Sequence, residues 1–228
     1  MEKILYREGF TAEELPNEVI ERIKGVSYKE NPYVKLGDLA YLRVRYYDFE
    51  HKVQSGELIV ARKLADEVLD IFYELFEGGY EIEKIRLVDE YDADDERSMA
   101  DNNSSAFNYR VVAGTNTISA HSYGRAIDIN PLINPYIVGN KVMPANATEY
   151  ADRDKAFDHK IDRTDLCYCI FKRHGWKWGG DWNNSKDYQH FYKEYDSPLK
   201  MAAKKLKRAL LRSVSYTHLR AHETAANL

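Results

Sequence analysis

Four residues in two short segments have the types and spacing expected of a metal-dependent hydrolytic site. The segment SAHSYGRAIDIN (residues 119–130) contains His121 and Asp128, and the segment KDYQHFYK (residues 186–193) contains Asp187 and His190. A catalytic zinc ion takes about three protein ligands from His, Asp, Glu or Cys and leaves a position for water. The sequence therefore predicts one zinc ion per chain, bound by His121, Asp128 and His190.

Local structure around these residues follows from glycine and from strand periodicity. Gly124 permits a tight turn between His121 and Asp128, which are too far apart for one helical turn. In RAIDIN (residues 125–130), alternation places Ile127 and Ile129 on the core face and Asp128 on the opposite face, towards a cleft. Asp187, three residues before His190, suits a general base that takes a proton from water and passes it to a leaving amine.

These segments resemble a known peptidase family. The signature S-x-H-x-x-G-x-A-x-D is matched at every defined position, by Ser119, His121, Gly124, Ala126 and Asp128, and is followed by WGGDW and DYQHF. The pattern is similar to that of the zinc D-alanyl-D-alanine carboxypeptidases and L-alanyl-D-glutamate endopeptidases, a group that includes the vancomycin-resistance D,D-peptidases and has hedgehog-type relatives. By motif, the resemblance covers roughly residues 85 to 195.

The resemblance implies roles for these side chains. The two histidines and Asp128 would bind zinc, and Asp187 would be the base, where many relatives have Glu. An arginine from an upstream strand would polarise the scissile carbonyl or bind the substrate, because a guanidinium stays charged and donates two hydrogen bonds. Arg110 is the first candidate for that role and Arg97 the second.

Three further residues are candidates for substrate binding or for support of the ligands. Ser119 either hydrogen-bonds a ligand or the substrate, or is a simple turn serine. Asp181 either supports the site from behind the ligands or is a turn residue after Gly179-Gly180. Trp182 is interpreted as core or groove wall rather than as a platform for sugars.

The implied activity is hydrolysis of an amide bond in the peptide stem of bacterial peptidoglycan. A zinc-dependent D-alanyl-D-alanine carboxypeptidase is the first reading, and an L-alanyl-D-glutamate endopeptidase of the endolysin type is the alternative. A third reading is a non-catalytic, zinc-containing cell-wall-binding module. The presence of Asp187 argues against this module, because a structural zinc needs no nearby base.

Composition excludes several other classes of protein. The chain has 228 residues, of which 44 % are hydrophobic and 31 % charged, with a net charge of −4. Such a balance is typical of a globular protein and gives no reason to expect nucleic-acid binding. We find no apolar run long enough for a transmembrane segment and no signal peptide, and we expect a monomer. Because the substrate lies outside the cytoplasmic membrane, we expect a cell-envelope or secreted enzyme, or a cytoplasmic one released by lysis.

The order of elements predicts an α+β fold, a single domain with a largely antiparallel sheet and flanking helices. Residues 42–47 alternate as a half-buried strand, residues 61–80 form the clearest amphipathic helix, and Thr11 is expected to cap a helix through residue 23. Strands are also expected at residues 82–91, 108–116 and 125–131. A helix capped near Asp162 or Thr164 should end at Gly175.

We divide the chain into four segments. Residues 1–50 are an N-terminal arm with the first strand, and residues 51–200 are the catalytic domain. Residues 201–213 are predicted to form a basic helix. The segment VSYTHLRAHET (residues 214–224) corresponds to the translation of a sequencing-library adapter, so residues 214–228 are interpreted as an artefact.

Overall fold

An antiparallel sheet of four strands occupies the N-terminal part of the fold. The structure is a computed structural model that describes residues 4–112 and 116–194. Each strand of this sheet pairs with the next strand along the chain. The strands are β1 (Ile4–Arg7), β2 (Phe10–Glu13), β3 (Leu39–Tyr47) and β4 (Val53–Ala61).

Strand β3 confirms the alternation predicted at residues 42–47. Leu42, Val44 and Tyr46 are buried, whereas Arg43 between them is exposed. All nine residues of β3 pair with β4. The two strands form a long hairpin, so the predicted boundary after residue 50 falls in its turn.

Helix α1 begins later than the sequence suggested. Thr11 lies in β2, opposite Arg43 of β3, and does not cap a helix. The neighbouring Phe10 and Ala12 are buried, so this segment follows the period of a strand. Pro16, which has no N–H to donate, precedes the first helical residue, and α1 spans Asn17–Ile23.

Helix α2 (Ala65–Glu77) is the amphipathic helix predicted within residues 61–80. It packs against β3, and its buried face consists of apolar side chains, among them Val68, Ile71, Phe72 and Leu75. The helix ends at Gly78, and Gly79 follows in the left-handed conformation with φ 66°.

The strand predicted at residues 82–91 is mostly absent. Only β5 (Lys84–Ile85) forms there, parallel to β6 (Asn103–Ser104), and Val88–Tyr91 is a 3-10 helix. The Asn103 side chain accepts the Arg86 N–H at 2.9 Å. This hydrogen bond takes a backbone donor that a longer strand would use in its ladder.

The strand predicted at residues 108–116 is also absent from the described part of that segment. The N–H of Tyr109 donates to the Ser27 carbonyl at 2.8 Å, and the N–H of Arg110 donates to Ser122 Oγ at 2.8 Å. Val111 and Ile118 form an isolated bridge, and the Val112 N–H donates to the Thr117 carbonyl at 2.8 Å, but no strand of a sheet is assigned in the described part of the segment. The segment is thus held by loops and not by a sheet. Helix α3 (Asp95–Ala100) precedes it.

Helix α4 (Leu166–Arg173) is capped by Asp165, next to the predicted Thr164. The Asp165 carboxylate accepts the N–H groups of Cys167 and Tyr168 at 2.9 and 3.2 Å. Gly175, with φ 77°, follows the helix as predicted. Burial raises the pKa of Asp165 to about 6.

Two small antiparallel sheets follow and position the site. One has the strand order β10–β12–β7 and the other β11–β8–β9. Their strands are β7 (Ala126–Asp128), β8 (Tyr136–Val138), β9 (Lys141–Met143), β10 (Lys177–Trp178), β11 (Lys186–Asp187) and β12 (His190–Tyr192). With the helices and the N-terminal sheet, they confirm the α+β class and the largely antiparallel pairing.

One core joins the N-terminal sheet to the small sheets. Phe72 of α2, Ile127 of β7 and Phe191 of β12 belong to the same buried cluster. The chain up to Lys193 forms one compact unit. The helix predicted at 201–213 and the tail at 214–228 lie outside the described residues. Among the described helices, each is too short or too polar to cross a membrane.

Candidate active site

The structure brings His121, Asp128 and His190 together, as the motifs predicted. One Asp128 oxygen lies 3.1 Å from His121 Nε2, and the other lies 2.9 Å from His190 Nδ1. The two ring nitrogens are 3.1 Å apart. One ligand atom from each residue lies within 4.8 Å of the other two, which is close enough for all three to bind one ion.

Three different elements supply these ligands. His121 opens a 3-10 helix (His121–Tyr123), Asp128 ends β7 and His190 begins β12. Because β7 and β12 are antiparallel, with Asp128 directly opposite His190, strand pairing fixes the distance between these two residues. Ile127 and Ile129 point into the core, which leaves Asp128 on the site face as predicted.

The donor set fits a divalent cation. His121 Nδ1 hydrogen-bonds the Ala106 carbonyl, so the proton resides on Nδ1 and the Nε2 lone pair faces Asp128 and His190. His121 and His190 are buried. A cluster of buried lone pairs around one carboxylate is stabilised by a cation, and two imidazoles with one carboxylate are typical zinc ligands.

Charge within this group is strongly coupled. Burial opposes a positive charge on His121, but the attraction of the Asp128 carboxylate outweighs it and raises the pKa of His121. Burial also opposes ionisation of Asp128, yet His121 and His190 hold the pKa of its carboxyl far below the usual value. Asp128 is therefore ionised and available as a ligand.

Gly124 positions the 3-10 helix that presents His121. It adopts the left-handed conformation with φ 61°, and its carbonyl accepts the Ala61 N–H of β4 at 2.8 Å. A Cβ at this position would lie 2.4 Å from Ala61 N and 2.7 Å from the Val60 carbonyl carbon. Only glycine permits both this turn and this approach to β4.

Asp187 is half-buried and close enough to His190 and Asp128 for their charges to act on its carboxyl. It ends β11, and Gly179 packs so closely against it that a Cβ there would lie 2.7 Å from Asp187 Cβ. Asp187 Oδ1 is buried and has no hydrogen-bond partner among residues 4–112 and 116–194. Burial raises the pKa of this carboxyl to about 7, against the opposing electrostatic influence of His190 and Arg110. A carboxyl with such a pKa can exchange protons near neutral pH.

Of the two candidate arginines, Arg110 is the one near the site. It forms an ion pair with Asp95, and its positive charge lowers the pKa of both His121 and Asp187. Arg97, by contrast, is exposed and pairs with Asp92 at 2.8 Å.

Ser119 and Ser122 hold the loop around His121. Ser119 Oγ accepts the N–H of His121 at 3.2 Å, so Ser119 acts as a turn serine in this structure. Ser122 Oγ accepts the Arg110 N–H at 2.8 Å and lies 2.7 Å from the Arg110 carbonyl, to which its hydroxyl can donate. The sequence analysis missed Ser122, which ties the segment of Arg110 to the 3-10 helix of His121.

Trp182 and Asp181 lie in different environments. The Trp182 ring lies 5.5 Å from the ring of His190, centroid to centroid, so Trp182 is next to one of the candidate ligands. Asp181 pairs with Arg163 at 2.9 Å and with Lys172 at 3.4 Å. Its contacts in the described part of the chain therefore do not support the predicted role behind the zinc ligands.

Gln189 is a second residue that the sequence analysis missed. In sequence it lies between Asp187 and His190. Its side chain is fully buried, and neither the oxygen nor the nitrogen of its amide has a hydrogen-bond partner in the described residues. Buried amides are nearly always bonded to protein or to ordered water. A water molecule or a substrate group is therefore expected there.

Comparison with known proteins supports the same kind of site. Residues 113–193 match the model of a family described as D-alanyl-D-alanine carboxypeptidase. The matched segment contains the three candidate ligands and Asp187, and it supports assignment to a peptidase family. Arg110 lies just before it, in the part of the chain that the match does not cover. No curated protein and no solved structure gives a significant match.

Proposed function

We propose that the protein is a zinc-dependent peptidase that hydrolyses the peptide stem of peptidoglycan, with D-alanyl-D-alanine carboxypeptidase activity as the first choice. The convergence of His121, Asp128 and His190 beside a buried carboxyl carries the proposal. The family match over residues 113–193 supports the class of substrate. With such a substrate, the enzyme would act in the cell envelope or outside the cell, or would stay in the cytoplasm until lysis.

The metal would be held by His121 Nε2, His190 Nδ1 and one or both oxygens of Asp128. These atoms face one another in the structure, and the Ala106 carbonyl keeps the His121 ring in the required tautomer. A bound zinc ion would polarise the scissile carbonyl and make an attacking water molecule more acidic.

Asp187 is the proposed proton carrier. Its buried carboxyl has a pKa raised to about 7, so the ionised form accepts a proton from water at neutral pH. The protonated form is then able to donate to the departing amine, which must gain a proton to leave. One group performs both transfers, and no covalent link between enzyme and substrate is needed.

Arg110 is the proposed substrate contact. A guanidinium can donate two hydrogen bonds to a carboxylate or an oxyanion, and the positive charge of Arg110 acts on both His121 and Asp187. It can donate to the carboxylate of the substrate or to the oxyanion that forms at the scissile carbonyl. The bond from Ser122 Oγ to the Arg110 backbone holds this residue beside the ligand loop.

Incubation of the zinc-loaded protein with a muramyl pentapeptide tests the proposal. Mass spectrometry should show release of D-alanine by the wild type. Asp187→Ala should bind zinc with the same stoichiometry but lose at least about 100-fold of the rate, because general acid–base catalysis contributes roughly 10²–10⁴-fold. Asp158→Ala, which removes an exposed carboxylate, is the matched control.

Each other outcome has a defined meaning. Release of a fragment that begins with D-glutamate would show that the protein is an L-alanyl-D-glutamate endopeptidase and not a carboxypeptidase. If the wild type and Asp187→Ala both bind zinc and neither cleaves the peptide, the proposal of an enzyme is wrong. A cell-wall-binding module would then be favoured.

A further inference from the structure

A cavity of about 330 Å³ is lined by Arg110 and by the loop of residues 25–29, which follows α1. Its walls are polar, and they come from segments that are far apart in sequence: Gly25, Val26, Lys29, Asp92, Ala93, Asn108, Tyr109 and Arg110. The volume lies at the lower end of the range for small-molecule sites, roughly 300–1,000 Å³. It therefore suits a part of a ligand, such as one residue of a peptide.

The walls of this cavity are fixed by hydrogen bonds. The Ser27 carbonyl accepts the Tyr109 N–H at 2.8 Å, and Asp89 accepts both the N–H and the hydroxyl of Ser27 at 3.1 and 2.9 Å. Asn108 Nδ2 donates to the Ala93 carbonyl at 3.1 Å. The loop of residues 25–29 is thus tied to the segment that carries Arg110.

Strained backbone also borders the cavity. Asp92 and Ala93 have φ 57° and 58°, in the left-handed region that non-glycine residues rarely adopt. Non-glycine residues in this conformation cluster at ligand sites, where surrounding contacts hold them.

The charges around the cavity leave one cation without an ionic partner. The carboxylates of Asp92 and Asp95 are each engaged by an arginine, Arg97 and Arg110 respectively. Lys29 is exposed, and its ammonium has no ion pair within residues 4–112 and 116–194. Lys29 is therefore the lining cation whose charge is available to a ligand, in the same cavity as the arginine of the site.

We infer that this cavity is a specificity subsite for an acidic residue of the substrate peptide, and that Lys29 binds the carboxylate of that residue. The inference rests on the proposed function, because it takes Arg110 as the contact shared by the cavity and the reacting bond. Lys29 contacts a part of the substrate away from the scissile bond and so determines which peptide binds. It is a binding residue and takes no part in proton transfer.

Two stem peptides that differ by one group test this inference. In one, the glutamate carries its free carboxylate, and in the other the same group is an amide. With the wild type, the acidic peptide should have the lower KM. Lys29→Met should raise KM for the acidic peptide by roughly three- to tenfold, the effect of one charge-assisted contact at a partly exposed position. KM for the amidated peptide should stay as in the wild type, and Lys29→Arg should retain the preference.

Lys24→Met is the matched control, since it removes an exposed lysine of the same segment that does not line the cavity. A change in KM that is equal for the two peptides in Lys29→Met, or the same change in Lys24→Met, would overturn the subsite. If the wild type cleaves neither peptide, the proposed function itself fails. Binding of the two peptides to the Asp187→Asn protein, measured by calorimetry, then still decides whether Lys29 distinguishes acid from amide.

Discussion

At the scale of single residues, the protonation state of Asp187 should control the pH dependence of the enzyme. Burial raises the pKa of this carboxyl to about 7, above the value of an exposed aspartate. Below that pH the group is protonated and cannot accept a proton from water. We therefore expect kcat/KM to fall as the pH decreases through about 7. A bound cation would lower the pKa of Asp187 and move this acid limb to a lower pH.

A pH profile of kcat/KM between pH 4 and 9 measures this effect. Asp187→Glu keeps a carboxyl group and should retain an acid limb with a changed midpoint. Asp187→Asn has no titrating group at this position and should lose most activity at every pH. An Asp187→Asn enzyme with the rate and profile of the wild type would show that another residue is the base.

The residues of the candidate site were largely readable from the sequence because each chemical type has few alternative uses at this spacing. His121, Asp128 and His190 do converge, and Asp187 does lie beside them. Ser122 and the Ala106 carbonyl could not be foreseen, since their role depends on which loops approach His121 in space. A serine or a backbone carbonyl carries no signal of its own in a sequence.

At the scale of elements, Gly124 should be essential to the turn between the 3-10 helix and β7. Gly124→Ala would place a methyl group 2.4 Å from Ala61 N, in a conformation that already disfavours a side chain. We expect a loss of more than about 2 kcal/mol in the free energy of unfolding, together with weaker zinc binding because His121 moves. Urea denaturation and a zinc titration measure the two effects.

Gly37→Ala is the control for this substitution. Nothing lies within 4 Å of a Cβ at position 37, and its backbone is not left-handed. Its free energy of unfolding should stay the same or rise by up to about 1 kcal/mol, since alanine restricts the unfolded chain. Equal stabilities of the two variants would contradict the structural role of Gly124.

Elements with a strong period were predictable, and elements held by side-chain contacts were not. Helix α2 and strand β3 each bury a continuous apolar face, and the spacing of those residues marks them directly. Residues 82–91 also contain apolar side chains, but Asn103 takes the Arg86 N–H and ends the strand early. Thr11 has the pattern of a helix cap, yet pairing with β3 decides its conformation. Such competition between local and distant partners is invisible in the sequence.

At the scale of the whole molecule, zinc should stabilise the fold because the three ligands come from separate elements. Metal that binds only the folded state at a free concentration 100-fold above its dissociation constant adds about 2.7 kcal/mol. For a domain of this size that corresponds to a rise in Tm of roughly 5–10 °C. Thermal unfolding with zinc and with a chelator measures the difference.

His121→Ala should abolish this rise in Tm, and magnesium should not produce it, since magnesium prefers oxygen ligands. The same rise in His121→Ala as in the wild type would place the zinc elsewhere.

Contacts between α2 and the C-terminal part of the unit should limit unfolding to one transition. Glu67 accepts from both Trp176 and Lys193, at 2.7 and 2.6 Å, and Glu74 contacts His174 at 3.0 Å.

The hydrogen bond between the Ala61 N–H and the Gly124 carbonyl has a consequence for how such a protein can change by recombination. Gly124 lies in the segment that carries the candidate metal ligands. It packs directly against the backbone of the β3–β4 hairpin, more than sixty residues earlier in the chain. A chimaera that received residues 113–193 from a homologue would also need a hairpin whose backbone, like that of Val60-Ala61, lets the glycine turn approach closely. Compatible donors are therefore constrained by a piece of sheet that bears no ligand at all.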